Sequence, residues 1–368
     1  MRATYLALLS LWIISTPEGL SAGQPTLMLE DGGIQFPDGT VLDSAAAVDP
    51  PATVTVAVDC GIGESINDAL ETPADDLTIQ ITGICSENVV VKRDNVSLLG
   101  SNKTTDGIHG VTTGGTPEPA VLEIFRSSNV TIKNLTIANG GNDGIWAQGS
   151  RVLMDHVTVT GNADWGLTGT LAARFDSDNI TVSSNDGGGV ALTRGTTMVF
   201  RTSVVSGNGT NEAAVLSLAA SYAYFIDSTI SGDRGVEVVM TGFAYLEDTS
   251  VSATGVALSS FEQGDINVYG RDGTVQISGA IQADWKAFIW AANFNQTDST
   301  VGNKLSRDST LSIANSTLLG MELEIFSNGD ALDSSVGDVT CFAGSDLYCH
   351  GTTATVGTST CTLCPAAP

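Results

Sequence analysis

One acidic residue recurs in each of five successive turns, Asp143, Asp164, Asp186, Glu212 and Asp233, at separations of 21, 22, 26 and 21. Carboxylates stacked a few ångströms apart repel one another, so they need solvent, a shared proton or a cation. Stacked oxygen ligands suit Ca2+, with Asp164, Asp186, Glu212 and Asp233 as the expected ligands. Asp143, Asp164, Asp186 and Glu237 are the carboxylates placed for acid–base work. Trp146 and Trp165 lie beside the same turns, where an indole can act as a stacking platform whose N–H still reaches a hydroxyl. Arg194 and Arg234 are the basic residues nearest in sequence to these turns, and Arg194 is the expected substrate-binding cation. His156 is one of three histidines, but Asp155 precedes it and stacks in the adjoining column with Asp178, Lys133 and Arg201, which describes a charge-compensated corner.

The chain around these residues has 368 residues, with 41 acidic and 15 basic side chains giving a net charge of −26. Such a charge excludes binding nucleic acid through its phosphates and disfavours an anionic membrane surface. With 42% hydrophobic residues and 41 glycines the composition is globular and rich in turns. Met1-Arg2, the apolar run from Tyr5 to Ile14 and the small residues ending at Ala22 predict a signal peptide over 1–22. No later run is long enough to insert in a membrane. The mature chain is therefore expected to be secreted, whether extracellular, at the cell surface or periplasmic. Six cysteines fit an oxidising compartment, with Cys60 and Cys85 near the start and Cys341, Cys349, Cys361 and Cys364 near the end. They read as disulfide closures at the two ends, with the pairing of the last four left open.

The elements that must position the acidic turns follow from an internal repeat. Ile137, Val159, Val182, Val205, Ile230 and Val251 recur at 22, 23, 23, 25 and 21 residues. Beside them run Ile145, Leu167, Val190, Val215, Val236 and Val256, most of them preceded by glycine. A third column, Ile132, Met154, Ser177, Phe200, Phe225 and Leu246, lies five residues before the first, and Val130, Val152, Phe175, Met198, Ala223 and Ala244 run two residues ahead of it. Each repeat thus holds three short alternating runs, the mark of strands with one buried face. Three such strands cannot bury their apolar faces alone, but stacked coils can. The predicted fold is all-β, a single-stranded parallel β-helix of about 22 residues per coil spanning 55–340. An N-terminal extension over 23–54 precedes it, and a Cys-rich segment over 341–368 follows. Ile66, Ala69 and Leu70 predict a short cap helix over 64–70, and 100–120 reads as an inserted loop. Facing outward beside the second column are Trp146, Thr168, Ala191, Leu216, Glu237 and Ala257. Tyr224 and Tyr245 stack outward on another face.

Cys60-Gly61-x-Gly63 with Ser65-Ile66-Asn67, the run Gly83 to Val89, Asn95-Val96-Ser97-Leu98-Leu99-Gly100 and the Asn- and Gly-rich run from Asn139 to Ile145 resemble the secreted right-handed parallel β-helix proteins. That superfamily includes pectate lyases, polygalacturonases and many uncharacterised bacterial exports. The resemblance covers about residues 55–340 and implies right-handed coils, an Asn ladder at the corner holding Asn134, His156 and Asn179, and a substrate groove along the first-strand sheet. It implies a polysaccharide or cell-surface glycan as partner and, if the chain is an enzyme, a polysaccharide lyase or glycoside hydrolase. The polygalacturonase motif set is missing apart from Gly107-Ile108-His109-Gly110. A lyase acting on uronate polymers would need a cation to neutralise the substrate, since a charge of −26 repels a polyanion. The alternative is a non-enzymatic structural or adhesive surface module. Gly33 to Thr40 is similar to segments that precede β-rich regions of bacterial surface and phage-fibre proteins.

Overall fold

Period-two alternation has a simple consequence in space: each short run buries every second side chain, and the chain must turn three times to bring the next run over the last. The computed structural model describes residues 28–30, 33–35, 41–43, 53–115, 117–209, 212–271, 275–299, 301–324, 327–342, 345–350 and 355–356. Two units are distinguished, 1–51 and 52–368. In the first, Met28–Glu30, Gly33–Gln35 and Val41–Asp43 form an antiparallel three-stranded sheet in which Ile34 opposes Leu29 and Leu42. The predicted signal peptide, Cys361 and Cys364 lie outside the described residues.

The second unit is a parallel β-helix. One sheet takes one strand from each coil and runs through fourteen strands from Thr53–Asp59 to Asp346–His350. The other two faces of each coil belong to a second, continuous sheet. The three columns pair in parallel register: Ile137 with Val159, Ile145 with Leu167, and Val152 with both Val130 and Phe175. Their side chains fill one core that runs the length of the unit. The second column departs from the repeat at its end. Leu258, not Val256, opposes Val236, because the register shifts on both sides of Val256. Ser259 therefore takes the register position opposite Glu237 that was expected of Ala257, and both Ser259 and Ala257 are buried.

Residue types at the corners follow from backbone shape. Asn134, His156, Asn179, Thr202, Asp227 and Asp248 all take the left-handed conformation, with φ between 46 and 56°. Asn and Asp tolerate it best, so His156 holds a corner position. The residue that follows the corner changes from apolar to hydroxylic along the axis. Ser203 Oγ accepts from Ile180 N–H and Ser228 Oγ from Ser203 N–H, both at 3.1 Å.

The Asn ladder stands elsewhere, at the turn before the first-strand sheet. Asn162 Nδ2 donates to Asn185 Oδ1, and Asn185 Nδ2 to Asn208 Oδ1, each at 2.8 Å. All three are buried. The glycine column packs on this ladder. A Cβ on Gly166 would lie 2.5 Å from Val182 Cγ1 and 2.6 Å from Asn185 Nδ2.

The cap helix is Ile66–Leu70, with Ser65 at its N-cap and Ile66, Ala69 and Leu70 buried. It packs against Thr53–Asp59, Asp76–Thr82 and Val89–Val91. Glu87 binds its start, accepting from Ile66 N–H at 2.7 Å and Asn67 Nδ2 at 2.6 Å, and the Cys60–Cys85 disulfide joins the neighbouring segments. Cys341 and Cys349 are also disulfide-bonded. The coils run past residue 340, since Ser335–Cys341 and Asp346–His350 continue both sheets. Within the expected inserted loop, Gly107–His109 is a strand paired with Thr136–Ala138 and Ile84–Ser86.

Candidate functional site

The first-strand sheet carries an outward ladder that reads Val90, Glu123, Trp146, Thr168, Ala191, Leu216, Glu237 and Ser259. At its N-terminal end the expected platform meets an aromatic that the repeat did not reveal. The Trp146 and Phe125 rings stack with centroids 6.3 Å apart and planes 21° from parallel. They lie in a cleft of about 540 Å³ whose other walls are Lys92, Glu123, Asn142 and the loop residues Pro117, Glu118 and Ala120. Asn142 Nδ2 donates to Glu118 O at 2.7 Å, tying the loop to the acidic turn. Glu118 accepts from the Thr113 N–H and hydroxyl at 2.8 Å, and these bonds hold its carboxyl below the usual range. The Arg126 guanidinium lies over the Phe125 ring at 5.2 Å. Among the described residues neither Lys92 nor Glu123 forms an ion pair.

Trp165 stands apart from this cleft. It pairs with Gly188 of the next coil, and its six-membered ring covers the space that a Cβ there would fill. Trp165 is thus a lid on neighbouring backbone, and among the described residues Trp146 shares its ring contact with Phe125.

The acidic turns divide into groups with different environments. Asp143 is 7% exposed, and its Oδ1 accepts from Trp165 N–H at 3.1 Å. Burial pushes its carboxyl up to about 6, with Asp164 adding repulsion against the Thr168 hydroxyl and the Trp165 N–H. Asp164 is exposed, with its Oδ1 lying over Gly187. Partial burial of its carboxyl also raises it, opposed by the same Trp165 N–H. Asp186 and Glu212 are exposed, and Asp233 accepts from the Thr254 hydroxyl at 3.0 Å. Glu237 is ion-paired with Arg234; burial nevertheless raises its carboxyl, helped by Glu212. Among the described residues no group of three or more His, Cys, Asp or Glu side chains comes together as a metal site. Arg194 occupies a left-handed corner at the far end of the strand Gly188–Leu192. The five-residue strand, about 17 Å long, lies between it and the acidic turn at Asp186.

At the opposite corner, Asp155 pairs with both Lys133, at 2.7 Å, and His156. Arg201 binds Asp176 at 2.6 Å and Asp178 at 3.7 Å. This corner is charge-compensated, as its residue types imply.

Lys92 and Glu118 were hidden by an insertion, whereas Glu123 and Phe125 follow it at the ordinary spacing of 23 from Trp146 and Gln148. Leu122 opposes Val89 across a gap of 33 residues, whereas Ile145 opposes Leu122 across 23. The Asn ladder did leave a signal, because Gly140, Asn162, Asn185 and Asn208 recur at 22, 23 and 23.

Residues 79–230 and 120–280 match the family described as right handed beta helix region. The chain belongs to this family. Among solved structures, this β-helix protein is similar to the A-module of mannuronan C-5 epimerase AlgE4 from Azotobacter vinelandii, at 12% identity and a TM-score of 0.44, over 80% of this chain and 90% of that one. It is also similar to an alginate lyase from a Paenibacillus species, at 13% identity and 0.34, over 83% and 99%. A third is pectin methylesterase PemA from Erwinia chrysanthemi, at 11% identity and 0.31, over 82% and 91%. No protein of curated function matches the β-helix protein. Among the described residues no helix is long and apolar enough to cross a membrane.

Proposed function

We propose that this β-helix protein is exported and binds a polysaccharide along the N-terminal end of its first-strand face. The stacked Phe125–Trp146 pair at the floor of an open cleft carries the reading. Two near-parallel rings present an apolar surface to the C–H face of a pyranose, while Lys92, Glu123 and Asn142 at the walls meet its hydroxyl or carboxylate groups. Any chemical step belongs to Glu118 and Glu123, the carboxylates that line this cleft. A calcium ion would enter as a bridge between these groups and an acidic sugar.

A non-catalytic surface module is the second reading, favoured by how the other carboxylates are used. Glu237 is held by Arg234, Asp143 by the Trp165 N–H and Asp233 by Thr254. The test is affinity electrophoresis and ultraviolet detection of unsaturated products on a panel of uronate and neutral polysaccharides, with calcium and with chelator. Binding that weakens roughly tenfold in Trp146→Ala and Phe125→Ala supports the cleft. Binding indifferent to both substitutions rejects it. Unsaturated product that disappears in Glu123→Gln makes the protein a lyase; binding without product leaves it a module.

A further inference from the structure

The fourteen-stranded sheet has an outer face that the proposed function leaves unused. Over its first coils that face bears ordinary solvent-facing residues, Thr131, Leu153, Asp176 and Val199 in one ladder. From Tyr222 onward the same face turns aromatic. The ladder continues as Tyr224, Tyr245, Asn267 and Trp290, and the ladder beside it as Tyr222, Phe243, Asp265 and Phe288. Tyr269 flanks them on the other side, with its ring 6.2 Å from Trp290 and 24° from parallel. The remaining rings also touch in sequence: Tyr222 to Phe243 at 6.0 Å, Phe243 to Tyr224 at 5.8 Å and Tyr224 to Tyr245 at 6.2 Å. Four of the six tyrosines of the chain lie in this one patch. Core packing does not account for them, since Tyr222 is 42% and Phe288 37% exposed.

Two features say what would cover the patch. Within it, Asp265 sits between Phe243 and Phe288, and its Oδ1 is buried with no hydrogen-bond partner. A buried acceptor of this kind calls for a donor that arrives with the ligand. At the rim, Arg271 is bound to Glu247 at 2.6 Å and to Asp248 at 3.5 Å. The four strands that carry the patch, Tyr222–Ile226, Phe243–Glu247, Asp265–Tyr269 and Phe288–Ala292, offer aromatic rings, a carboxylate acceptor, an amide at Asn267 and no Lys or Arg. That set suits a hydroxyl-rich uncharged chain and repels a polyanion. Neighbouring coils are about 4.8 Å apart along the axis, so Tyr224 and Tyr245 are one step apart and Tyr245 and Trp290 two, with a step of the same order as one sugar residue.

We propose that this face is a second glycan-binding site, specific for neutral polysaccharide. Rings stack on successive sugars and Asp265 accepts a hydrogen bond from a sugar hydroxyl. The site is separate from the Phe125–Trp146 cleft and does not depend on it.

The test is affinity electrophoresis of the full chain in soluble glucomannan, xyloglucan and mixed-linkage β-glucan, with alginate and polygalacturonate as acidic comparisons. Trp290→Ala, Tyr245→Ala and Trp146→Ala are run together, and circular dichroism and Tm confirm that each variant is folded. The expected result is retardation by at least one neutral glycan, weakened about tenfold by Trp290→Ala or Tyr245→Ala both in the parent chain and in the Trp146→Ala background. The proposal is overturned if no neutral glycan retards the protein, or if retardation is lost in Trp146→Ala and kept in Trp290→Ala. It is also overturned if sedimentation shows a dimer that Trp290→Ala dissociates, since the patch would then be a contact between copies of the chain.

Discussion

Replacing Asp143 with Asn should make the protein more stable at neutral pH, because the native carboxyl is held in a place that resists its charge. Asp143 is almost fully buried, and burial raises it from the ordinary 3.8 to about 6. A rise of about two pKa units corresponds to about 3 kcal/mol, at roughly 1.4 kcal/mol per unit. The sign follows from proton binding. Below pH 4 the group is protonated in both folded and unfolded chains and costs nothing. Between about 4 and 6 the unfolded chain ionises while the folded one keeps its proton, so stability falls as pH rises. Above 6 the full penalty stands. The substituted amide would stay neutral throughout, and its oxygen would still accept the Trp165 N–H. At roughly 2.1 cal/mol/K per residue over about 300 residues, 3 kcal/mol is about 5 °C in Tm. The assay is the difference in Tm between Asp143→Asn and the parent from pH 3.5 to 7.5. The difference should be near zero at pH 4 and level off near +5 °C above pH 6. A flat difference, or a variant less stable at pH 7, would refute the reasoning.

Asp106 carries the opposite sign: burial opposes its ionisation, but hydrogen bonds from Gly83 N–H at 3.0 Å, the Ser101 hydroxyl and N–H at 2.7 Å, and Asn102 N–H at 3.0 Å outweigh it and hold the carboxyl well below the usual range. Its contribution is present above pH 4 and lost as pH falls, so Asp106→Asn should be less stable at pH 7 and show a smaller acid transition in fluorescence. Asn185→Ala removes bonds to Asn162 N–H, Asn162 Nδ2 and Asn208 Oδ1. At about 1–2 kcal/mol for each buried group left unpaired, the cost is about 4 kcal/mol, with faster hydrogen exchange at the Asn162 amide; protection equal to the parent's would show that the ladder does not hold that amide. Gly188→Ala puts a methyl where the Trp165 ring lies. Displacement of the indole should shift its fluorescence to longer wavelength and cost about 1–3 kcal/mol, and unchanged emission would show that the ring does not cover that backbone.

Local periodicity made most of the coil legible. Every inward residue of the Ile137 column recurs because each coil must present an apolar group at the same height, so the spacing survives substitution among Ile and Val. The glycine before Ile145 or Leu167 was equally visible, although its reason, the approach of the Asn ladder, needed coordinates. Legibility fails where chain length between equivalent strands changes. The insertion before Leu122 broke the count and hid Lys92 and Glu118 as neighbours of Trp146, and the register shifts around Val256 moved the position opposite Glu237 from Ala257 to Ser259. The acidic turns illustrate a different difficulty. Their spacing was plain, yet a recurring carboxylate has the same signature whether it faces solvent, accepts a backbone N–H or waits for a ligand.

Sequence alone determined that this chain is a stack of parallel coils, because burial of alternating apolar residues at a repeat near 22 admits little else. It also determined the closed first coil, through the helical spacing of Ile66, Ala69 and Leu70. Tertiary structure decided which side chains share a surface. Neighbours in a solenoid are about one coil apart in the chain, and each insertion or bulge shifts who faces whom; the Trp146–Phe125 cleft and the aromatic face around Trp290 exist only once that register is set in space.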